Sequence, residues 1–228
     1  MNKTAIILAG GSGTRAGGDI PKQLQLLAGK PVFVHSIERF LDQDSETLII
    51  LAVNDNYAEA FNSCLDKMRE TRQFRCVVLS GGSSRAESVM NALAAVDSAP
   101  GSLVAVHDAA RPLASVSLIA RGWQAAMTCG AAIPAVPLTD SIRLKAEDGS
   151  SMSVPRSRYV AVQTPQVFDS ALLTKAYAAL KDCSAVTDDA SVVELAGHPV
   201  ALFGGESTNM KITGPHDLEI ASLLLDKA

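Results

Sequence analysis

A mostly parallel α/β sheet with helices on both faces is what this sequence predicts, and three observations carry the prediction. Short aliphatic and β-branched runs alternate with helical patterns of ten or more residues, as βαβ units require. The first four of those runs are almost wholly apolar instead of alternating, which suits strands covered on both faces. Hydrophobic residues make up 47% of the 228 and charged residues 19%, enough apolar mass for a large core and too much for a disordered chain. No internal repeat or low-complexity linker interrupts the pattern, so residues 1–228 are expected to form one domain.

The strand candidates are Ala5–Leu8, Leu48–Val53, Cys76–Leu79, Leu103–Val106, Ala131–Val136, Val160–Gln163 and Val200–Phe203. Between them lie helical patterns at Val32–Leu41, Ala58–Thr71, Arg85–Val96, Ser117–Cys129, Ser170–Leu180 and His216–Leu225. One stretch departs from the rhythm. Residues 139–158 read TDSIRLKAEDGSSMSVPRSR, with Glu-Asp-Gly-Ser between two short β-capable pieces. This predicts a protruding hairpin, an arm for dimerisation or a substrate loop, with a plain surface hairpin as the alternative.

Charge and cysteine usage narrow the setting. The formal charge is −4, from 20 Lys+Arg against 24 Asp+Glu, and no basic run is present, so nucleic-acid or membrane binding through a basic surface is not expected. Cys64, Cys76, Cys129 and Cys183 stand singly, the usage of a reducing compartment and not of a disulfide framework or zinc site. The apolar run Ala5–Ala9 is too short for a signal or membrane segment. The expectation is a cytoplasmic protein.

The polar clusters fall at predicted strand ends, where open α/β sheets bind ligands. The first strand runs into Ala9-Gly10-Gly11-Ser12-Gly13-Thr14-Arg15, followed by Pro21-Lys22-Gln23. Glycines allow a sharp turn that brings backbone N–H groups against an anion. The loop lacks the Gly-Lys-Ser/Thr of a Walker A motif. The dinucleotide pattern is met only as Gly11-x-Gly13-x-x-Ala16, and the next strand ends about forty residues on instead of about twenty, which disfavours that reading. Arg15 and Lys22 beside such a loop suit a triphosphate; two solvated surface cations are the alternative. After the third strand, Gly81-Gly82-Ser83-Ser84-Arg85 through Ser88 form a second glycine turn, or a helix cap supplied by Ser83 or Ser84. After the fourth come His107-Asp108-Ala109-Ala110-Arg111. Asp108 suits Mg²⁺, which takes one or two carboxylates plus phosphates, and Arg111 suits an anionic substrate. His107 reads as a structural hydrogen-bonding residue. Arg156, Thr164-Pro165-Gln166, Thr187-Asp188-Asp189 and Asn209–Thr213 are weaker signals, and Thr187 before two aspartates also suits a helix cap. Arg15, Lys22, Arg85, Arg111, Arg156 and Lys211 make a dense cationic set for an acidic protein. No GxSxG elbow, HExxH helix or local Cys–His pair occurs; a phosphate attacking a nucleoside triphosphate needs none of these.

The segments LAGGSGTR…PKQ, GGSSRAESV, VHDAARP, RSRYVAVQTPQVF, TDDASVVE and NMKIT, in that order, closely resemble the 2-C-methyl-D-erythritol 4-phosphate cytidylyltransferase family. The resemblance implies a Rossmann-like nucleotidyltransferase fold with a β-hairpin dimerisation arm, and CMP transfer from CTP with Mg²⁺. It implies that Ala9, Gly10, Gly11, Gly13, Arg15 and Lys22 hold the triphosphate, and that Gly81, Gly82 and Ser88 surround the cytosine and ribose. Asp108 would be the Mg²⁺-associated aspartate. Asp108, Ala109, Arg111, Ser141, Thr164 and Thr187 would meet methylerythritol phosphate. Arg156, reaching across a homodimer, and Lys211 would position its phosphate. Ser141 stands where the family often has threonine, and Ser83 where an acidic residue is common. The rival readings are a ribitol-5-phosphate cytidylyltransferase, which HDAARP disfavours, and a nucleotide-binding module without turnover.

Overall fold

The computed structural model describes residues 2–11, 20–214 and 216–225, apart from the side chain of Ala185. The elements in chain order are β1 (Lys3–Ala9), β2 (Leu26–Leu27), β3 (Lys30–Pro31), α1 (Val32–Gln43), β4 (Leu48–Val53), α2 (Ala58–Arg69), β5 (Cys76–Ser80), α3 (Arg85–Leu93), β6 (Leu103–Asp108), α4 (Val116–Cys129), β7 (Ala131–Pro137), β8 (Arg143–Lys145), β9 (Ser151–Ser153), β10 (Val160–Val162), β11 (Gln166–Asp169), α5 (Ser170–Ala179), α6 (Asp189–Leu195), β12 (Ala201–Gly204) and α7 (Asp217–Leu225).

β5, β4, β1 and β6 lie side by side and parallel. β11 then inserts antiparallel between β6 and β7, β10 continues along the same edge of β7, and β12 adds parallel to β7. The chain leaves β1 towards β4 and β5, then returns to the other side of β1 as β6. That reversal opens a crevice at the carboxyl ends of β1, β4 and β6, the place where doubly wound sheets bind ligands.

Each face of the sheet has its own apolar layer. On one, Phe33 and Ile37 of α1, Phe61 and Leu65 of α2, and Ile119 and Trp123 of α4 cover Ile7, Leu51 and Ala105; the Phe33 and Phe61 rings meet edge-on at 4.8 Å. On the other, Val89 of α3, Leu173 and Tyr177 of α5 and Val192 of α6 cover Ile6, Ile50 and Val104. Each such side chain taken from water contributes roughly 1.5–3 kcal/mol. This two-sided cover explains the unbroken apolar runs of β1, β4 and β6.

Four expectations change. Cys76–Ser80 is an edge strand and only partly buried, with Val77 42% exposed, because no further strand among the described residues pairs beyond it. Val160–Gln163 is not one full strand: it stops at Val162, and β11 follows at Gln166–Asp169, a strand absent from the expected set. Four residues are too few to show a period in the sequence. α6 is likewise absent from the expected helices, and its cap is Asp188, not Thr187: the Asp188 carboxylate accepts from Ser191 N at 3.0 Å. α3 ends at Leu93, short of Val96. The 139–158 excursion is a hairpin as expected, with Leu144 opposite Met152.

Candidate active site in the crevice at the carboxyl ends of the strands

The crevice holds a cleft of about 800 Å³, within the usual size of small-molecule sites. It is built from four strand ends. Gly10 and Gly11 leave β1 without a side chain above the crevice. Gln23 donates its Nε2 to Gly11 O at 3.3 Å, on the short 3-10 turn Lys22–Leu24 that carries Lys22 into the cleft. The hairpin of β2 and β3 follows, turning through Ala28 (φ 48°) and Gly29 (φ 82°), and His35 of α1 bonds to its Leu27 carbonyl at 2.8 Å.

The second glycine turn is clamped from α3. Gly81 N donates to Val53 O at 2.7 Å. Gly82 N donates to Ser88 Oγ at 2.9 Å, and Ser88 Oγ donates onward to Ser84 O. Ser84 caps the helix by accepting from Glu87 N at 3.1 Å. Glu87 folds back to take both the N–H and the hydroxyl of Ser83, at 2.7 and 2.5 Å. A Cβ on Gly82 would sit 2.4 Å from Glu87 Cβ, so this close return needs glycine there. The two alternatives for the segment hold together: one stretch is a helix cap and also a wall of the cleft.

Asp108, the last residue of β6, is the electrostatic centre. Its Oδ2 lies 2.6 Å from Lys211 Nζ and its Oδ1 3.6 Å from Arg85 Nε. Burial alone would raise its pKa, but Arg85 and then Lys211 outweigh burial and hold it down at about 2. Arg85 is shared: its Nη2 meets Asp189 Oδ2 at 2.7 Å, and Asp189 Oδ1 accepts from the Tyr177 hydroxyl at 2.6 Å. Asp189 is fully buried. Burial works against the Arg85 charge, but the two carboxylates keep it firmly protonated. Burial, reinforced by Asp189, pushes the Tyr177 hydroxyl well above its ordinary range.

Beneath this cluster runs a chain of neutral hydrogen bonds. Asp108 N donates to Thr164 Oγ1 at 3.1 Å, and Thr164 Oγ1 lies 3.1 Å from His107 Nδ1. His107 Nε2 lies 3.2 Å from the Arg111 carbonyl. A carbonyl only accepts, so the proton sits on Nε2 and Nδ1 accepts from Thr164. Burial is the main cause that lowers the His107 pKa, to about 4. Between that value and the ordinary 6.5 the unfolded chain binds a proton that the folded one refuses. Stability is therefore intact above about 6.5 and is lost as pH falls towards about 4, by roughly 3 kcal/mol in total. Urea titrations at pH 7 and pH 4.5 should show a smaller acid-induced loss in His107→Gln than in the parent; equal losses would remove His107 as the cause.

The other predicted residues divide by place. Gly10, Gly11, Lys22, Gly82, Ser88, Asp108 and Lys211 line the cleft. Ala9 and Ala109 are buried in the core and do not line the cleft, with Ala109 N bonded to Leu8 O. Arg111 donates to Asn209 O at 2.7 Å, tying down the segment that carries Lys211; Asn209 in turn donates to Thr164 O at 2.9 Å. Ser141, Arg156 and Thr187 are not among the described residues lining the cleft, and Ser141, Arg156 and Thr187 all lie exposed. Arg156 bonds to the Thr139 carbonyl at the base of the hairpin. Gly13 and Arg15 lie outside the described residues. Sequence reasoning assigned no role to Asp189, Tyr177, Gln163 or Gln166. Gln166 Oε1 accepts from Asp189 N and Ala190 N, both at 3.1 Å, and so sets the start of α6. Its place in the Thr-Pro-Gln run was the only signal.

A glycine loop off the first strand of a doubly wound sheet, with Arg85 and Lys211 converging on one ionised aspartate and Lys22 lining the same cleft, defines a phosphate-handling α/β enzyme of the nucleotidyltransferase kind. The sequence profile of the IspD family, 2-C-methyl-D-erythritol 4-phosphate cytidylyltransferase, matches residues 3–227, and the chain belongs to that family. It is 43% identical over 227 residues to the Phocaeicola vulgatus protein of that name, covering 99% of this chain and 100% of the relative. The crystal structure of the Thermus thermophilus enzyme superposes with a TM-score of 0.76 at 33% identity, over 99% of this chain and 100% of that one. The Francisella tularensis enzyme gives 0.82 at 30% identity, over 98% and 99%.

Proposed function

We propose that the protein transfers CMP from CTP to 2-C-methyl-D-erythritol 4-phosphate, releasing pyrophosphate and forming 4-diphosphocytidyl-2-C-methyl-D-erythritol. The observation that carries this reading is the convergence of Lys22, Arg85, Asp108 and Lys211 on one cleft beside two glycine turns. The attacking phosphate is ionised near neutral pH, so no general base is required; the barrier is one anion approaching another. Lys22 and Arg15 stabilise the charge growing on the triphosphate, and Lys211 holds the incoming phosphate in line. The N–H groups of Gly81, Gly82 and Ser83 are taken within the protein, so the turn presents its carbonyl oxygens to the base, with the Ser83 hydroxyl already engaged by Glu87.

The reaction class calls for a divalent cation, and Asp108 fits one. Its carboxylate is ionised, and the Arg85 guanidinium stays 3.6 Å from its Oδ1. No cluster of three or more His, Cys, Asp or Glu accompanies it among the described residues, so Mg²⁺ would take Asp108 together with phosphate oxygens and water. When bound, the ion supplies neutralisation of triphosphate charge.

The partner reading is a homodimer in which the 139–158 arm crosses to the second subunit and brings Arg156 to its cleft. In its support, Leu144 and Met152 on the arm are 60% and 61% exposed, and Tyr159, Val160 and Val162 just beyond it are exposed as well. No described helix is long and apolar enough to cross a membrane. The four free cysteines accord with a cytoplasmic setting.

The test is pyrophosphate release from CTP and Mg²⁺ with methylerythritol 4-phosphate or ribitol 5-phosphate as acceptor. Release with the first and little with the second is expected. Preference for ribitol phosphate would move the assignment to the other polyol, and release with neither would leave a binding module.

A further inference from the structure

We propose that Asp189 is a positioning residue for Asp108: it neutralises Arg85 and holds the guanidinium back, leaving Asp108 Oδ1 open to the divalent cation of the nucleotide. The inference rests on the reading of Asp108 as that cation's ligand. A guanidinium free beside a carboxylate closes on it with two parallel N–H···O bonds. Arg85 does not do this to Asp108. Its Nη2 is committed to Asp189 at 2.7 Å, and the Nε it turns towards Asp108 stops at 3.6 Å, beyond hydrogen-bond reach.

Asp189 is itself held in place. Its backbone N–H is fixed by Gln166, as is that of Ala190, and its second oxygen takes the Tyr177 hydroxyl at 2.6 Å. The charges pair off as Arg85 with Asp189 and Lys211 with Asp108. Without the negative charge of Asp189 the cluster would gain one positive charge and Arg85 would be free to close on Asp108. Both changes oppose a cation at that oxygen.

The experiment measures Mn²⁺ bound to the protein–CTP complex, by loss of the free Mn²⁺ paramagnetic resonance signal, with circular dichroism melts to monitor folding. Asp189→Asn should weaken Mn²⁺ binding about tenfold or more. The double variant Arg85→Met/Asp189→Asn, with both charges of the pair removed, should return to within about threefold of the parent. A merely structural role for Asp189 would not be rescued this way. Unchanged Mn²⁺ affinity in Asp189→Asn, or no rescue in the double variant, would overturn the proposal. If Asp189→Asn does not fold, Arg85→Lys serves in its place. A lysine still paired with Asp189 should leave Mn²⁺ affinity within about threefold, and a tenfold loss would show that the guanidinium acts on the ligands itself. Asp108→Asn separates the two levels of inference. Parent-like Mn²⁺ binding there would end the reading of Asp108 and this proposal with it, whereas weakened binding there beside a silent Asp189→Asn would end this proposal alone.

Discussion

Lys22→Ala is expected to lower kcat/KM for cytidylyl transfer by about 10²–10³ while the melting temperature stays within a few degrees of the parent. A charged donor aimed at developing transition-state charge typically contributes about 3–4 kcal/mol, which is this fold-change. The backbone that carries Lys22 is secured without its side chain. Leu24 N and Gln25 N bond back to Pro21 O and Lys22 O at 2.9 and 3.2 Å, and Gln23 is buried and reaches Gly11 O. The ammonium therefore leaves behind a turn that is still formed. Steady-state pyrophosphate release and a thermal melt measure the two halves of the prediction, and a variant with near-normal turnover would end the assigned role of Lys22.

Mixing Lys22→Ala subunits with Arg156→Ala subunits should restore activity that neither variant has alone. If each cleft combines Lys22 of one subunit with Arg156 of the other, a mixed dimer contains one cleft with both mutations and one with neither. Random reassortment of equal amounts then recovers about a quarter of the parent sites. Two features favour the crossing in physical terms: Arg156 is exposed at the base of the arm, off the cleft of its own chain among the described residues, and the arm carries an apolar surface that wants cover. Mass spectrometry must show that mixed dimers form. Mixed dimers without recovered activity would mean that each subunit uses its own Arg156, or that this arginine serves another purpose.

Much of the cleft was legible because its parts are local. Gly10 and Gly11 follow an apolar run directly, and Gly81, Gly82 and Asp108 follow one after a single polar residue, so the strand pattern alone placed them at strand ends. The expectation that strand ends converge then grouped Lys22 with Lys211, although the two are far apart in the chain. The residues that escaped work across the fold. Asp189 is one of two adjacent aspartates with opposite duties: Asp188 caps α6 while Asp189 turns inward to Arg85. Tyr177 reads as a core aromatic and is one, with a hydroxyl that only the packing of α5 beside α6 delivers to Asp189. Arg111 and Thr164 carried a substrate-facing expectation, yet their visible bonds run to Asn209 and to His107 and Asp108. Whatever they contribute to a substrate, they also fix the segments that present Asp108 and Lys211.

By itself the sequence determined the α/β class, the hairpin excursion, the two glycine turns and the family, since each is written in hydrophobic period or contiguous motif. Only the tertiary structure decided that Cys76–Ser80 is an edge strand, that Gln166–Asp169 inserts antiparallel, and that Arg85 is divided between two aspartates. Strand order and the partners of a buried charge depend on which distant segments arrive side by side. Local pattern records how a residue sits on its own element, whereas the energy of an ion pair depends on distances between elements that no local pattern contains.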